Sequence, residues 1–107
     1  MVRQRTGVRG STTGRPIMRL LDLLGRRWVM RVIWELRGEP LGFRELQAAC
    51  GGMSPSVLNQ RLAELVKAQI AEAHEDGRYR LTTRGKQLLK LFAPLNRWAE
   101  TWSKSIR

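Results

Sequence analysis

Polar side chains that can hydrogen-bond to the edges of DNA bases recur along one predicted helix. They are Ser54, Ser56, Asn59, Gln60, Arg61 and Lys67. At about 3.6 residues per turn, Gln60 points directly away from an apolar stripe formed by Leu58, Leu62, Leu65 and Val66. Glutamine and asparagine can pair with adenine, arginine with guanine, and serine with either. Only Glu64 is acidic here, so the pattern favours a base-reading helix over an ordinary surface helix.

A second set of candidate residues lies on a predicted β-hairpin. Asp76-Gly77 is a strong hairpin-turn signal. Arg78 and Arg80 alternate with apolar residues and therefore share one face, where they could contact phosphates or the minor groove of flanking DNA. The alternative is an ordinary charged hairpin face, because acids lie nearby at Glu72, Glu75 and Asp76.

Residue types that support catalysis or metal binding are scarce. His74 is the only histidine and Cys50 the only cysteine, so neither a histidine-rich metal site nor an internal disulfide can form. Cys50 ends a predicted helix beside two glycines, where a buried and inert thiol is expected; a sensing role is the alternative. We therefore expect neither an enzyme nor a cofactor.

Composition points to a polyanionic partner. The 107 residues suit one domain, and 20 Lys+Arg against 9 Asp+Glu give a formal net charge of +11, which indicates nucleic acid or an anionic membrane surface. No apolar run is long enough for a membrane span, so a cytoplasmic location is expected. Residues 1–15 contain four arginines and no acid and are predicted to form a flexible basic arm. Together with the arm, Arg44 and Lys67 are expected to hold phosphates.

The elements that must position these residues follow from hydrophobic periodicity. Helices are predicted from Pro16 to about residue 24, then over about 27–37, 43–50 and 55–67, followed by the hairpin and a long C-terminal helix. Gly51-Gly52-Met53 forms a tight turn between the third and fourth helices. This order, mainly α with a small β-hairpin wing, is a winged helix-turn-helix layout over residues 16–107.

The C-terminal helix carries a heptad seam that predicts a homodimer. Its predicted interface residues are Leu88, Phe92, Leu95, Trp98, Ala99 and Trp102. Pro94 lies inside this helix and should kink or restart it. The tryptophans are expected to fill the core and the seam; a small aromatic effector bound between helices is the alternative.

Four ordered motifs together resemble the HxlR-type family of bacterial transcriptional regulators. They are residues 20–28 (LLDLLGRRW), 43–46 (FREL), 54–62 (SPSVLNQRL) and 81–85 (LTTRG). The resemblance spans about residues 16–103. It implies a homodimeric winged helix-turn-helix protein with a MarR-like fold that binds inverted-repeat operators. By this resemblance, the helix after Ser54 reads the major groove and the outer helices build the dimer.

Two departures from the family pattern limit what the resemblance implies. Many members have a cysteine directly before the proline that opens the first helix, whereas this chain has Arg15. A thiol switch at that position is therefore not expected. The hairpin turn from His74 to Arg78 is also shorter than is usual in the family, which reduces the expected reach of the wing into a minor groove.

These observations predict a sequence-specific DNA-binding regulator, a homodimeric repressor whose partners are double-stranded DNA and a second copy of itself. Two other classes of protein remain open. A nonspecific or architectural nucleic-acid-binding protein would use the positive charge alone. A protein-interaction module would use the C-terminal seam to bind another chain.

Overall fold

The structure is a computed structural model that describes residues 14–106. Its elements are α1 (Pro16–Leu24), α2 (Val29–Glu35), α3 (Phe43–Ala49), α4 (Pro55–Lys67), β1 (Ala71–Ala73), β2 (Tyr79–Leu81) and α5 (Thr83–Ser105). The predicted class, mainly α with a hairpin wing, is confirmed. Residues 1–13 of the predicted arm lie outside the described part of the chain.

The starts of α1, α3 and α4 agree with the predicted bounds. Pro16 and Pro55 occupy first-turn positions of α1 and α4, where the absent N–H of proline costs no hydrogen bond. The Ser54 hydroxyl caps α4 by accepting from the Val57 N–H at 3.2 Å. The Thr82 hydroxyl caps α5 in the same way and accepts from the Gly85 N–H at 2.9 Å.

One helix boundary differs from the prediction. The helix expected from about residue 27 begins at Val29, because Trp28 adopts a left-handed backbone conformation with φ of 78°. This conformation interrupts the helical hydrogen bonding and turns the chain between α1 and α2. The Trp28 ring packs against the core from this corner.

The core gathers apolar residues from α2, α3, α4 and the hairpin around α2. Its fully buried large side chains include Val29, Val32, Ile33, Leu36, Leu46, Leu58, Leu62 and Leu65. Val66 was expected to share the stripe of α4, but it is 40% exposed. It lies about 80° around the helix axis from Leu58, at the edge of the stripe.

The wing is a short antiparallel hairpin in which Ala71 faces Leu81, Glu72 faces Arg80 and Ala73 faces Tyr79. Gly77 adopts a φ of 85° in the turn, a conformation that glycine adopts without strain. Leu41 extends the sheet by exchanging two backbone hydrogen bonds with Tyr79, at 2.8 and 3.0 Å. The sequence did not predict this bridge. It ties the loop before α3 to the wing.

The C-terminal helix α5 runs unbroken through Pro94, so the predicted restart is wrong. Proline leaves the Lys90 carbonyl without its helical donor, but Lys90 and Pro94 are both exposed, so water can satisfy that carbonyl. The first half of α5 packs on the core, whereas the second half exposes large apolar side chains. Within residues 14–106, no helix is long and apolar enough to cross a membrane.

Candidate DNA-binding surface

The turn between α3 and α4 is built from glycines that other residues could not easily replace. Gly51 and Gly52 have φ values of 82° and 79°, in the left-handed region that favours glycine. The Gln47 side-chain amide donates to the Met53 carbonyl at 2.8 Å and closes the turn. This geometry lets α4 leave the turn at an angle to α3, as a helix-turn-helix requires.

The outward face of α4 is polar and almost uncharged, as its spacing predicts. Its exposed residues are Ser56, Asn59, Gln60, Ala63 and Lys67. The opposite face supplies Leu58, Leu62 and Leu65 to the core, which fixes the rotation of the helix about its axis. The Ser54 hydroxyl is occupied as the N-cap and also lies 3.4 Å from the Ser56 hydroxyl, within hydrogen-bond distance. The exposed amides of Asn59 and Gln60 are thus free to meet base edges.

Arg61 is placed differently from the prediction that it would face DNA with these residues. Its side chain is only 16% exposed, and its Nη1 donates to Glu64 Oε1 at 2.6 Å. The other oxygen of Glu64 accepts from Arg26 Nη1 at 2.9 Å, at the corner between α1 and α2. Arg61 therefore lies behind the outward face of α4. The sequence did not indicate the contact with Arg26, which spans 38 positions.

The two wing arginines are exposed, and both are already paired with carboxylates. Arg78 Nε donates to Asp76 Oδ2 at 3.0 Å, and Arg80 Nε donates to Glu72 Oε2 at 2.7 Å across the hairpin. The hydrogen bond from the Arg78 backbone N–H, followed by that from its guanidinium, lowers the pKa of Asp76. The exposed arginines and the nearby acids of the sequence thus form ion pairs with each other on the hairpin.

Two further cations predicted to hold phosphates are exposed, Arg44 on α3 and Lys67 at the end of α4. Within the described residues, neither forms an ion pair with a carboxylate. They can therefore meet a phosphate without first giving up a partner, unlike the arginines of the wing.

Cys50 is buried beneath the turn between α3 and α4. Burial and the negative charge of Glu35 raise the pKa of its thiol, and Arg31 opposes them. The thiol therefore stays protonated at neutral pH, the unreactive form of cysteine. In the described part of the chain, no group of His, Cys, Asp and Glu could hold a metal ion.

The predicted dimer seam divides into two parts. Leu88 and Phe92 are half-buried against the core of their own chain, so their apolar surface is largely used there. Leu95, Trp98 and Trp102 remain about half exposed or more, and the two indole rings stack at 5.7 Å. Ala99 is partly buried beside them.

An open groove of about 730 Å³ runs between α2 and α5 next to this exposed half. Trp34 forms one wall, and Phe92 and Leu95 lie on the other. Arg37 stacks on the Trp34 ring with its guanidinium carbon 4.1 Å from the ring centre. On α1, Ile17 and Leu21 are also about half exposed, which adds apolar surface that the seam prediction did not include.

Known proteins are similar to this chain in sequence and in fold. YvaP, an uncharacterized HTH-type transcriptional regulator of Bacillus subtilis, is 34% identical over 88 residues, covering 77% of this chain and 82% of YvaP. The quinone-bound structure of the B. subtilis transcriptional regulator YodB is 32% identical, with a TM-score of 0.75, covering 81% of this chain and 98% of that one. A MarR-family chain from Enterococcus faecalis V583 matches in fold, with a TM-score of 0.73, 24% identity and coverage of 90% and 96%.

The family match agrees with these relatives and with the surface described above. Residues 23–107 match the family described as HxlR-like helix-turn-helix. The family and the relatives are transcription regulators rather than enzymes. The chain therefore belongs to the HxlR-like helix-turn-helix family and is a DNA-binding transcriptional regulator.

Proposed function

We propose that the protein is a homodimeric repressor that binds an inverted-repeat operator. The observation that carries the proposal is the exposed, uncharged face of α4, set at a fixed rotation by three buried leucines. Ser56, Asn59 and Gln60 would read bases in the major groove. In a dimer, two copies of α4 would enter successive major grooves about 34 Å apart, so the operator would have two-fold symmetry.

Phosphate contacts would surround the part of the outward face of α4 that carries Ser56, Asn59 and Gln60, which we call the reading face. Arg44 and Lys67 have no acidic partner in the described residues and would bind phosphates directly, while Arg78 and Arg80 would exchange their carboxylates for phosphates. The capped N-terminus of α4 at Ser54 adds backbone N–H groups favourable to a phosphate. Such contacts orient the protein on the duplex without reading its sequence.

The exposed half of α5 supports the dimer. Leu95, Trp98 and Trp102 would leave a contiguous apolar surface in water if the chain stayed alone, and such surfaces mark interfaces. Repression follows most simply from occupancy, because a dimer on an operator that overlaps a promoter excludes other proteins. This role would place the protein in the cytoplasm, where bacterial DNA lies.

A small aromatic effector would fit the groove between α2 and α5. The quinone-bound structure of YodB shows that one relative binds such a compound, and Trp34 and Phe92 supply aromatic walls here. A compound seated in the groove would change the packing of α5 on the core and thereby the spacing of the two α4 helices. Cys50 is buried and protonated and has no part in this proposal.

Selection of bound sequences from random duplexes tests the DNA-binding proposal. We expect an inverted repeat to be enriched, with half-sites about one helical turn apart. A salt titration on the selected duplex and on a random one then separates a regulator from a nonspecific binder. A nonspecific binder would lose nearly all its affinity between about 50 and 200 mM salt and would enrich no motif; that result would refute the proposal.

Sizing by analytical ultracentrifugation tests the dimer. We expect the parent chain to be a dimer at micromolar concentration, and Trp98→Glu to be a folded monomer because that side chain is 62% exposed within its own chain. Lys86→Glu, an exposed position on the first half of α5, is the matched control and should remain dimeric. A monomeric parent would favour the alternative, a seam that binds another chain.

A further inference from the structure

We propose that Glu64 is a specificity-determining residue that acts by positioning Arg61. Its carboxylate holds the only arginine of α4 behind the reading face, so that the helix reads bases through uncharged side chains. The inference rests on the proposed function of α4 as the reading helix. Glu64 itself would touch no base or phosphate, which makes it a positioning residue.

The geometry of the carboxylate supports this role. Glu64 receives a guanidinium on each oxygen, from Arg61 at 2.6 Å and from Arg26 at 2.9 Å. Arg26 also reaches Asp22 at 3.5 Å. The four side chains form a row in which acids and bases alternate and the charges balance. Charge-assisted hydrogen bonds such as the two at Glu64 are about twice as strong as those between neutral groups.

The row joins the reading helix to another part of the fold. Asp22 belongs to α1, and Arg26 lies at the corner that Trp28 turns. Together with Gln60, all four members line an open cleft of about 530 Å³ between that corner and α4. Gln60, the residue best placed to read a base, therefore lines the same cleft as Arg61.

Arg61 would not stay in place without the carboxylate. Within the described residues its Nε is buried and has no hydrogen-bond partner, and the bond from its Nη1 to Glu64 is the only hydrogen bond of the guanidinium there. A guanidinium left unpaired in a partly buried site is unfavourable. The side chain would turn outward, beside Gln60, and offer a fork of donors to the nearest phosphate.

An added phosphate contact would help every DNA sequence alike and would lower the preference for an operator. Glu64→Gln keeps the shape of the side chain and removes its charge. We expect it to raise the affinity for a random duplex by about threefold to fivefold and to increase the salt slope by about 1. The operator-to-random affinity ratio should fall by a similar factor or more, because an outward Arg61 would crowd Gln60.

A double-mutant cycle separates positioning from a general structural role. Affinities for the selected operator and for a random duplex are measured for the parent, Glu64→Gln, Arg61→Ala and the double variant. We expect Glu64→Gln to change random-duplex affinity only while Arg61 is present, and by less than about twofold in the Arg61→Ala background. An effect of Glu64→Gln that persists without Arg61 would overturn the proposal, as would no effect on random DNA.

Glu39→Gln is the control for charge alone, since Glu39 is exposed and, among the described residues, lies in no ion pair. It should change the random-duplex salt slope less than Glu64→Gln does. Circular dichroism of each variant shows whether it folds. The salt slope on random DNA needs no operator. A parent that enriches no motif would therefore refute the proposed function, while the cycle on random DNA would still decide whether Glu64 positions Arg61.

Discussion

The reading face of α4 and the hairpin wing differ in whether their arginines are exposed. On α4, Ser56, Asn59 and Gln60 are exposed and uncharged, and Arg61 is withdrawn behind them. On the wing, the two arginines are exposed, and each forms an ion pair with a carboxylate of the same hairpin. The first region is suited to discriminating between bases and the second to holding the backbone.

The difference indicates which side chains would contribute affinity for any DNA and which would contribute specificity for one sequence. An exposed ion pair adds little net stability, so exchanging Asp76 or Glu72 for a phosphate costs little, and the cost is the same for any DNA sequence. Amide hydrogen bonds to base edges, by contrast, are lost when the base is wrong. In the proposed function, the net charge of +11 would speed the encounter with DNA and add affinity, while a few neutral side chains would supply the sequence preference.

The two regions are held in a fixed relation by the segment that joins them. The Thr82 hydroxyl donates a bifurcated hydrogen bond to the carbonyls of Gln69, at 2.6 Å, and Ile70, at 3.1 Å. Gly85 in the first turn of α5 packs directly on the Ile70 carbonyl. The end of α4, the start of β1 and the start of α5 therefore meet at one point.

The largest expected effect comes from disrupting that point. A Cβ at Gly85 would collide with the Ile70 carbonyl oxygen, which is backbone and cannot rotate away. We expect Gly85→Ala to lower the free energy of unfolding by about 3 kcal/mol, measured by urea denaturation. Gly38→Ala is the control because nothing lies within 4 Å of the added atom. Equal stability of the two variants would show that the wing is not anchored through Gly85.

The next effect separates the two regions directly. We expect Gln60→Ala to reduce operator affinity by about 1–3 kcal/mol at particular base pairs and to leave random-duplex affinity nearly unchanged. Gln87→Ala, at an exposed position on α5, should affect neither. The measurement is binding to a set of operators with single base changes. Equal losses on operator and random DNA would remove α4 from its reading role.

Features with a local cause could be predicted from the sequence. The caps at Ser54 and Thr82, the glycine turn before α4 and the Asp76-Gly77 hairpin each depend on a few neighbouring residues. The exposed face of α4 followed from helical spacing alone. These features together were enough to predict the fold class.

Features that depend on distant partners could not be predicted. Arg61 is withdrawn by a carboxylate that Arg26 shares from 38 positions away, and Leu41 joins Tyr79 across a similar separation. The heptad spacing of α5 could not show that Leu88 and Phe92 pack on their own core while Trp98 and Trp102 face outward. Periodicity gives the face of a helix, but the neighbour that covers the face is set by tertiary packing.

A smaller effect is expected on the wing. We expect Arg80→Ala to weaken binding to all sequences alike, by about threefold, and to reduce the salt slope by about 1. Glu72→Gln removes the acid that faces Arg80 across the hairpin and should strengthen binding to all sequences by a smaller factor. Both variants should keep the operator-to-random ratio of the parent. A change in that ratio would assign base reading to the wing.

The smallest effect concerns the pH dependence of Asp76 at the wing tip. Hydrogen bonds from Arg78 lower the pKa of this carboxyl below its usual 3.8. A carboxyl whose pKa is lower in the folded state stabilises the fold above pH 3.8, and this contribution is lost as the pH falls through the folded pKa. Asp76 therefore stays charged from pH 5 to 8, and Arg78 keeps its partner throughout that range.

We accordingly expect Asp76 to cause no change in DNA affinity between pH 5 and 8. An NMR titration of its carboxyl should give a midpoint below 3.8, and Asp76→Asn should remove the part of the acid-side stability slope that Asp76 contributes. A midpoint at or above 3.8 would mean that Arg78 does not hold the carboxylate in solution. The wing would then carry an unpaired arginine like Arg44, and the contrast with α4 would rest on Arg80 alone.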